Sequence, residues 1–232
     1  MNITFHGLNK LTLLDYPGHM AATLFAGGCN MRCPFCQNSS LVLDPGSQPR
    51  IDTGEILRFL GTRKGILEGV CVTGGEPTLQ RDLPEFIAKI KAMSFLVKLD
   101  TNGTNPAMVK ALIQDGLIDY IAMDIKASRA NYPKLCGVAG FDVSPVIETT
   151  DIIRSSPIDY EFRTTVVGTL HTDEDFVDIG EWLDGSKAIY LQNFEDSGDL
   201  ICQGLEAAPK ETLERYSQIL APHFEKVELR GV

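Results

Sequence analysis

The chain has 232 residues, of which 44% are hydrophobic and 22% are charged, and its 21 glycines and 12 prolines are spread along its length. This composition excludes a disordered, collagen-like or low-complexity protein, and a chain of this length can bury about 70% of its surface. The 21 basic and 31 acidic residues leave a formal net charge of −10, which argues against tight binding to nucleic acid.

No segment of the sequence has the features of a membrane span or an export signal. The longest run without a charged residue covers residues 16–31 and is interrupted by proline and glycine. A membrane helix needs about 20 apolar residues, so this run is too short and too broken. We therefore expect a cytoplasmic protein with neither a membrane nor a nucleic acid as partner.

Short apolar runs alternate with segments of helical period, which is typical of repeated βα units around a parallel sheet. The predicted strands are 21–25, 69–73, 95–99, 120–124, 160–166 and 188–192, followed by a short strand near 226–229. The predicted helices are 53–60, 83–93, 105–114, 146–154, 173–182 and 210–220. No interior segment resembles a linker. We expect one α/β domain over residues 1–232, either an open sheet or a full or partial barrel.

Polar motifs follow the first four predicted strands, at the end where α/β enzymes carry their active sites. These motifs are Gly27-Gly28-Cys29, Thr73-Gly74-Gly75-Glu76-Pro77, Asp100-Thr101-Asn102-Gly103 and Asp124-Ile125-Lys126. The sequence therefore predicts a site at the carboxyl ends of the strands.

Three cysteines directly follow the first predicted strand. Cys29, Cys33 and Cys36 have a C-x3-C-x2-C spacing, which in a cytoplasmic chain indicates metal binding rather than disulfides. A structural zinc site normally has a fourth Cys or His, and neither Gln37 nor Asn38 supplies one. A [4Fe-4S] cluster held by three cysteines leaves one iron open for a substrate or cofactor. The spacing favours such a cluster, with core cysteines or an incomplete zinc site as the alternative.

The cysteine motif resembles that of the radical S-adenosylmethionine superfamily, in which an aromatic residue, here Phe35, precedes the last cysteine. The resemblance implies a partial (βα)6, TIM-like barrel. It implies that Cys29, Cys33 and Cys36 hold a [4Fe-4S] cluster whose open iron is chelated by S-adenosylmethionine (SAM). It also implies that reduction of the cluster cleaves SAM and yields a 5′-deoxyadenosyl radical.

The segment Gly74-Gly75-Glu76-Pro77 resembles the GGEP motif that borders the methionyl amino group of SAM in this superfamily. Glycines allow a backbone to approach a ligand closely, and Glu76 offers acceptor oxygens and a buried charge that needs a partner. The alternative is an ordinary turn between a strand and a helix.

Two further motifs resemble those of the enzymes that activate glycyl radical enzymes. They are Asp100-Thr101-Asn102-Gly103 and Met123-Asp124-Ile125-Lys126. In these activases the two strand-end aspartates lie beside the carboxylate of SAM, in some cases through a monovalent cation, with the lysine close by. The resemblance therefore implies cofactor-binding roles for Asp100, Asn102, Asp124 and Lys126. The alternative for Asp100 is a residue that forms a turn, and the alternative for Asp124 and Lys126 is a salt bridge at the rim.

Arg163 interrupts the apolar pattern of the fifth predicted strand. We expect it to point inward, where a guanidinium could pair with the SAM carboxylate or with Glu76; pointing outward, it would be solvated.

We also expect Gln37 to contact the cofactor, although activases commonly carry a histidine at this position. Activases also often have a histidine after the sixth strand, and the candidates to replace it are Gln192, Asn193 and Glu195.

The resemblance extends over nearly the whole chain within one group of activases. Residues 6–18, 162–167 and 191–194 resemble segments of the activating proteins of anaerobic ribonucleoside-triphosphate reductase. The resemblance implies an oxidoreductase that makes a glycyl radical on that reductase, with flavodoxin or ferredoxin as electron donor. The alternatives are an activase of the pyruvate formate-lyase type, a radical enzyme acting on a small molecule, and a non-enzymatic iron–sulfur or zinc module.

Overall fold

The computed structural model describes residues 3–231, and its strands form one eight-stranded sheet in sequence order. The strands are Phe5–Thr12 (β1), Ala21–Ala26 (β2), Gly69–Gly74 (β3), Leu96–Thr101 (β4), Tyr120–Asp124 (β5), Asp159–Val166 (β6), Ser186–Asn193 (β7) and Phe224–Arg230 (β8). β1 is antiparallel to β2, and each later pair of neighbours is parallel. β1 and β8 are the edges of this sheet, which confirms an α/β fold with an incomplete barrel.

The helices connect consecutive parallel strands. They are Ser39–Leu43 (α1), Thr53–Gly61 (α2), Leu83–Lys91 (α3), Pro106–Gln114 (α4), Tyr132–Leu135 (α5), Ser144–Arg154 (α6), Asp173–Trp182 (α7) and Lys210–Leu220 (α8). Asp52 caps α2, because its side chain accepts a hydrogen bond from the backbone of Glu55. No helix within residues 3–231 has the length and apolar character needed to cross a membrane.

The sequence prediction missed one strand and two short helices. β1 is an edge strand with an exposed middle and with Gly7 and Asn9 in its interior, so it lacks the apolar alternation that predicts a strand. It is held instead by antiparallel pairing with β2. Helices α1 and α5 have five and four residues, too few to show a helical period. The six predicted helices correspond to α2, α3, α4, α6, α7 and α8.

The two faces of the sheet have different chemistry. On β4, Val97 and Leu99 belong to the hydrophobic core, whereas Lys98 and Asp100 form an ion pair on the other face. Neighbouring side chains of a strand point to opposite faces, so the charged residues share the inside of the barrel. Asp100 on β4 also reaches Arg163 on β6 across this concave face. The inside of the barrel is therefore lined with ion pairs.

Candidate active site

A cavity of about 250 Å³ lies at the carboxyl ends of the parallel strands. The predicted site residues on its wall are Cys29, Cys33, Phe35, Cys36, Gln37, Gly74, Gly75, Asp100, Asn102, Asp124, Lys126 and Arg163. The wall also includes Met31, Asn38, Val42, Thr73, Thr101, Thr165 and Gln192. Two predicted residues, Glu76 and Pro77, are buried and do not line the cavity. The structure thus brings residues of six strands, β2 to β7, and of the loops that follow them to one place.

The three cysteines lie on what we call the cysteine loop, residues 27–38, and all three are free thiols. Burial raises the pKa of Cys33 to about 12, although the nearby Lys126 lowers it. Metal coordination deprotonates a thiol outright, so a bound metal would overcome this burial. Within residues 3–231, no three His, Cys, Asp or Glu side chains converge closely enough to hold a single ion. In a four-iron cluster each cysteine binds a different iron, so the thiols need to share a cavity rather than a point.

The loop after β3 packs backbone to backbone against the cysteine loop. The N–H of Glu76 donates to the carbonyl of Gly28 at 2.7 Å. A Cβ added to Gly75 would lie 2.0 Å from the same carbonyl oxygen. The absence of a Cβ at Gly75 therefore allows this close approach of the two loops, and Gly75 also lies on the cavity wall.

Two more distant segments, the one around Cys136 and the loop after β7, also hold the cysteine loop. The N–H of Arg32 donates to the carbonyl of Cys136 at 2.8 Å, and the N–H of Cys202 donates to the carbonyl of Pro34 at 2.9 Å. The side chain of Gln37 donates to the carbonyl of Glu195 at 2.9 Å. The loop after β7 is therefore joined to the cysteine loop at more than one point. Cys136 and Cys202 act here through their backbones.

Glu76 is fully buried, and hydrogen bonds rather than a cation satisfy its carboxylate. Oε1 accepts from the hydroxyl of Thr101 at 2.8 Å and from the backbone of Thr78 at 3.0 Å. Oε2 accepts from the backbone of Asn102 at 2.6 Å. Burial raises the pKa of Glu76 despite these donors. These donors are the partners that the buried carboxylate needs, and within residues 3–231 Arg163 pairs with Asp100 and Asp124 rather than with Glu76.

Asn102 connects this buried carboxylate to the cysteine loop. Its side-chain amide donates to Oδ1 of Asn30 at 3.0 Å and lies 3.6 Å from Sγ of Cys29. Its backbone is the donor to Glu76 described above. The strand-end motif of β4 is therefore both a wall of the cavity and a support for Cys29.

Arg163 points inward, as expected, and its partners are the two strand-end aspartates. Its Nε donates to Oδ1 of Asp124 at 3.0 Å, and its Nη1 donates to Oδ2 of Asp100 at 3.1 Å. Lys126 takes the other oxygen of Asp124 at 3.1 Å, and Lys98 takes the other oxygen of Asp100. Although burial opposes ionisation, Lys126 and Arg163 lower the pKa of Asp124 to about 2. Arg163 and Lys98 likewise hold the pKa of Asp100 below its usual value against the effect of burial.

His171 is a buried residue that the sequence did not single out. Its Nε2 lies 2.9 Å from the carbonyl of Lys126, and its ring centre lies 6.5 Å from that of Phe35. Burial lowers its pKa although its hydrogen bond to Lys126 raises it. His171 therefore packs behind both the cysteine loop and the end of β5. A lone histidine between β6 and α7 carries no sequence signal for this contact.

Of the three candidates after the sixth parallel strand, Gln192 alone lies on the cavity wall within residues 3–231. The side chain of Asn193 instead exchanges hydrogen bonds with the backbone of Ala208, at 3.0 and 3.1 Å. Glu195 presents its carbonyl to Gln37.

A cavity at this end of parallel strands is where barrel enzymes bind cofactors and substrates. Three thiols on its wall indicate a metal–sulfur centre, so fold and site together define a barrel enzyme with such a cofactor. The sequence profile of the Radical SAM superfamily matches residues 23–183, a stretch that runs from β2 to just past α7. The chain belongs to this superfamily, which confirms an enzyme that uses a [4Fe-4S] cluster and SAM.

Similarity to individual proteins covers the full length of the chain. A Methanocaldococcus jannaschii protein provisionally named a glycyl-radical enzyme activating enzyme is 30% identical over 238 residues, covering 100% of this chain and 98% of that one. The structure of Streptococcus suis SuiB bound to its precursor peptide SuiA matches with a TM-score of 0.67 and 13% identity, over 86% of this chain and 46% of that chain. Escherichia coli QueE matches with a TM-score of 0.58 and 14% identity, over 98% of this chain and 93% of that one. The two solved structures show the fold alone.

Proposed function

We propose that this chain makes a glycyl radical on a partner protein, and that the partner is anaerobic ribonucleoside-triphosphate reductase. The observation that carries the proposal is the full-length match to the M. jannaschii protein, which bears the name of a glycyl-radical enzyme activase. The choice of the reductase rests on the resemblance of residues 6–18, 162–167 and 191–194 to its activating proteins.

In this proposal Cys29, Cys33 and Cys36 hold the cluster. The donor set supports the fit, because all three thiols are free and face one cavity. When bound there, the cluster and SAM would supply the radical chemistry that removes a hydrogen atom from the substrate, with flavodoxin or ferredoxin as the electron donor. Lys126 lies close enough to lower the pKa of Cys33, so it favours the thiolate form. Phe35 and Gln37 complete the wall beside the last cysteine.

The other wall residues bind SAM in this proposal. Arg163 receives the SAM carboxylate, because Nε and Nη1 face aspartates while Nη2 donates no hydrogen bond within residues 3–231. Asp100, Asp124 and Lys126 fix that guanidinium in place. Gly74 and Gly75 form the wall beside the amino end of SAM, and Glu76, Pro77 and Asn102 hold this wall in position.

The substrate in this proposal is a peptide loop that enters the barrel. Removal of a hydrogen atom from the α-carbon of a backbone glycine requires a protein segment to reach the cavity. The sheet of residues 3–231 has two edges, β1 and β8, so the barrel is open on one side. The SuiB neighbour, which shares this fold, was solved bound to its precursor peptide, and this supports a peptide as substrate.

The proposal is tested by mixing the anaerobically reconstituted protein, SAM and a reductant with anaerobic ribonucleotide reductase from the same organism. We expect the doublet of a glycyl radical in the paramagnetic resonance spectrum, with Cys33→Ala abolishing it. Cys202→Ala is the matched control, because Cys202 is an exposed cysteine outside the cavity. A radical that forms on a formate-lyase and not on the reductase would contradict the choice of partner. Turnover of a small molecule without any protein partner would contradict the activase.

A further inference from the structure

Lys98 is a lysine in the middle of an apolar strand, and its side chain is buried inside the barrel. The side chain is 1% exposed, its Nζ pairs with Oδ1 of Asp100, and the same Nζ lies 3.9 Å from Sγ of Cys71. A buried ammonium is costly to desolvate unless it has a close anionic partner. Because Lys98 and Asp100 are two residues apart on β4, the strand geometry places them together on the inner face.

With Lys98 in place, every carboxylate oxygen of the two strand-end aspartates accepts from a protein cation. Asp100 is held by Lys98 and by Arg163, the latter at 3.1 Å. Asp124 is held by Arg163 at 3.0 Å and by Lys126 at 3.1 Å. Three cations therefore face two carboxylates, and this group of five side chains has one positive charge in excess.

In this arrangement a monovalent cation would have to compete with a protein cation at each oxygen of Asp100 and Asp124. In some relatives such an ion lies between strand-end aspartates and the SAM carboxylate, where like charges need a cation between them. Here no oxygen of Asp100 or Asp124 lacks a donor. An added ion would also increase the excess of positive charge, whereas the SAM carboxylate would cancel it.

We propose that Lys98 supplies the positive charge that a monovalent cation would otherwise supply, so that this protein binds SAM without such an ion. The inference rests on the proposed placement of the SAM carboxylate beside Arg163. Lys98 is a positioning residue, because it acts through Asp100. Lys98 neutralises part of the negative charge of Asp100. Arg163 therefore keeps positive charge, and its Nη2 is left to donate to a third carboxylate.

The first test compares two salts on the reconstituted wild-type protein without any protein partner. The dissociation constant of SAM is measured in potassium chloride and in choline chloride of equal ionic strength, since choline is too large to sit between carboxylates. We expect the two values to agree within about twofold, a difference of about 0.4 kcal/mol. A loss of about tenfold or more in choline would overturn the inference.

The second test asks whether removal of Lys98 creates a need for the ion. In choline, Lys98→Met is expected to bind SAM about tenfold or more weakly than wild type, the scale of one charged hydrogen bond. Potassium should restore most of that affinity, and Lys98→Arg should remain independent of the salt. The matched control is Lys187→Met, which removes an exposed lysine paired with Asp159 at 3.1 Å and should not create a potassium requirement. A purely structural role of Lys98 would not produce rescue by potassium.

The outcomes separate this inference from the proposed site. If Lys98→Met binds SAM like wild type in choline, Lys98 has no such role and the inference fails. If Lys98→Met does not hold its cluster, the salt dependence of wild type and of Lys98→Arg decides the question. An Arg163→Gln variant with unchanged SAM affinity would contradict the proposed site itself. A wild-type protein that needs both Arg163 and potassium would contradict only the role of Lys98.

Discussion

The backbone N–H of Asn102 donates a hydrogen bond of 2.6 Å to Oε2 of Glu76, and this contact joins the loop after β3 to the end of β4. The side-chain amide of the same asparagine lies 3.6 Å from Sγ of Cys29. A fully buried carboxylate is thus two contacts away from a proposed cluster ligand. The geometry thus connects Glu76 to the cysteine loop through Asn102.

Glu76→Ala is expected to weaken SAM binding and to destabilise the fold while the cluster is retained. The substitution leaves buried donors on Thr78, Thr101 and Asn102 without their acceptor. Unpaired buried donors cost about 1–3 kcal/mol each, so we expect a loss of about 3 kcal/mol or more. SAM titration, iron content and denaturant unfolding measure the three effects.

The control for this prediction is Glu85→Ala on α3, where the glutamate pairs with Lys89 at 3.0 Å and is 60% exposed. A surface pair of this kind contributes less than about 1 kcal/mol. Unchanged SAM affinity in Glu76→Ala would show that the wall of the cavity does not depend on this carboxylate.

Replacement of any one of Cys29, Cys33 and Cys36 by alanine is expected to abolish the [4Fe-4S] cluster. Each of these thiols faces the cavity, whereas Cys202 does not, so Cys202→Ala should keep full iron and sulfide content. Iron and sulfide analysis with paramagnetic resonance measures the result. A protein that carries tightly bound zinc and no iron after anaerobic purification would contradict the assignment of these ligands.

Gly75→Ala is expected to displace the cysteine loop and lower the cluster content. The new Cβ would lie 2.0 Å from the carbonyl oxygen of Gly28, and a backbone atom cannot move aside as a side chain can. We expect a loss of stability of about 1–3 kcal/mol, as for other overpacked sites. Iron content and thermal unfolding are the measurements.

The matched glycine is Gly61 at the end of α2, where an added Cβ would meet nothing within 4 Å. Gly61→Ala should therefore be neutral or stabilise by up to about 1 kcal/mol. Equal cluster content in both variants would mean that the close approach of the two loops is not needed to bind the cluster.

Stability is expected to fall as the pH is lowered below about 6.5, and His171 is expected to cause part of this fall. Burial lowers its pKa in the folded state, so in this range the unfolded chain binds a proton that the native protein does not. The free energy of unfolding then decreases as the pH falls from the unfolded pKa towards the folded one. His171→Gln should reduce this slope. Denaturant unfolding at several pH values measures it, and identical slopes for wild type and His171→Gln would contradict the assignment.

Most of the parallel sheet could be predicted from local patterns. The parallel strands and the six longer helices have apolar periods that can be recognised within a short stretch of sequence. The helix caps are equally local, as Asp52 at the start of α2 illustrates. β1 could not be predicted, since its pairing with β2 rather than its own pattern keeps it extended. The cysteine spacing gave the cluster site for a similar reason, because all three ligands lie within one loop.

Contacts between distant segments could not be predicted from the sequence. Arg163 has an apolar setting that predicts an inward side chain, but whether it meets Glu76 or the aspartates depends on the curvature of the sheet. Lys98 did carry a signal, as a lysine in an apolar strand two residues before Asp100. Its pairing with that aspartate is visible only with the sheet assembled.

The loop after β7 touches the cysteine loop and α1 in three places: Glu195 meets Gln37, Asp199 meets Ser39, and Cys202 meets Pro34. Any movement that lifts this loop to admit a partner must break contacts made by the segment around the cysteines. Admission of a large substrate would then also open a path for dioxygen to the iron. The rate at which air destroys the cluster should therefore report how often this loop is open, and a bound partner that closes it should act as a shield against oxygen.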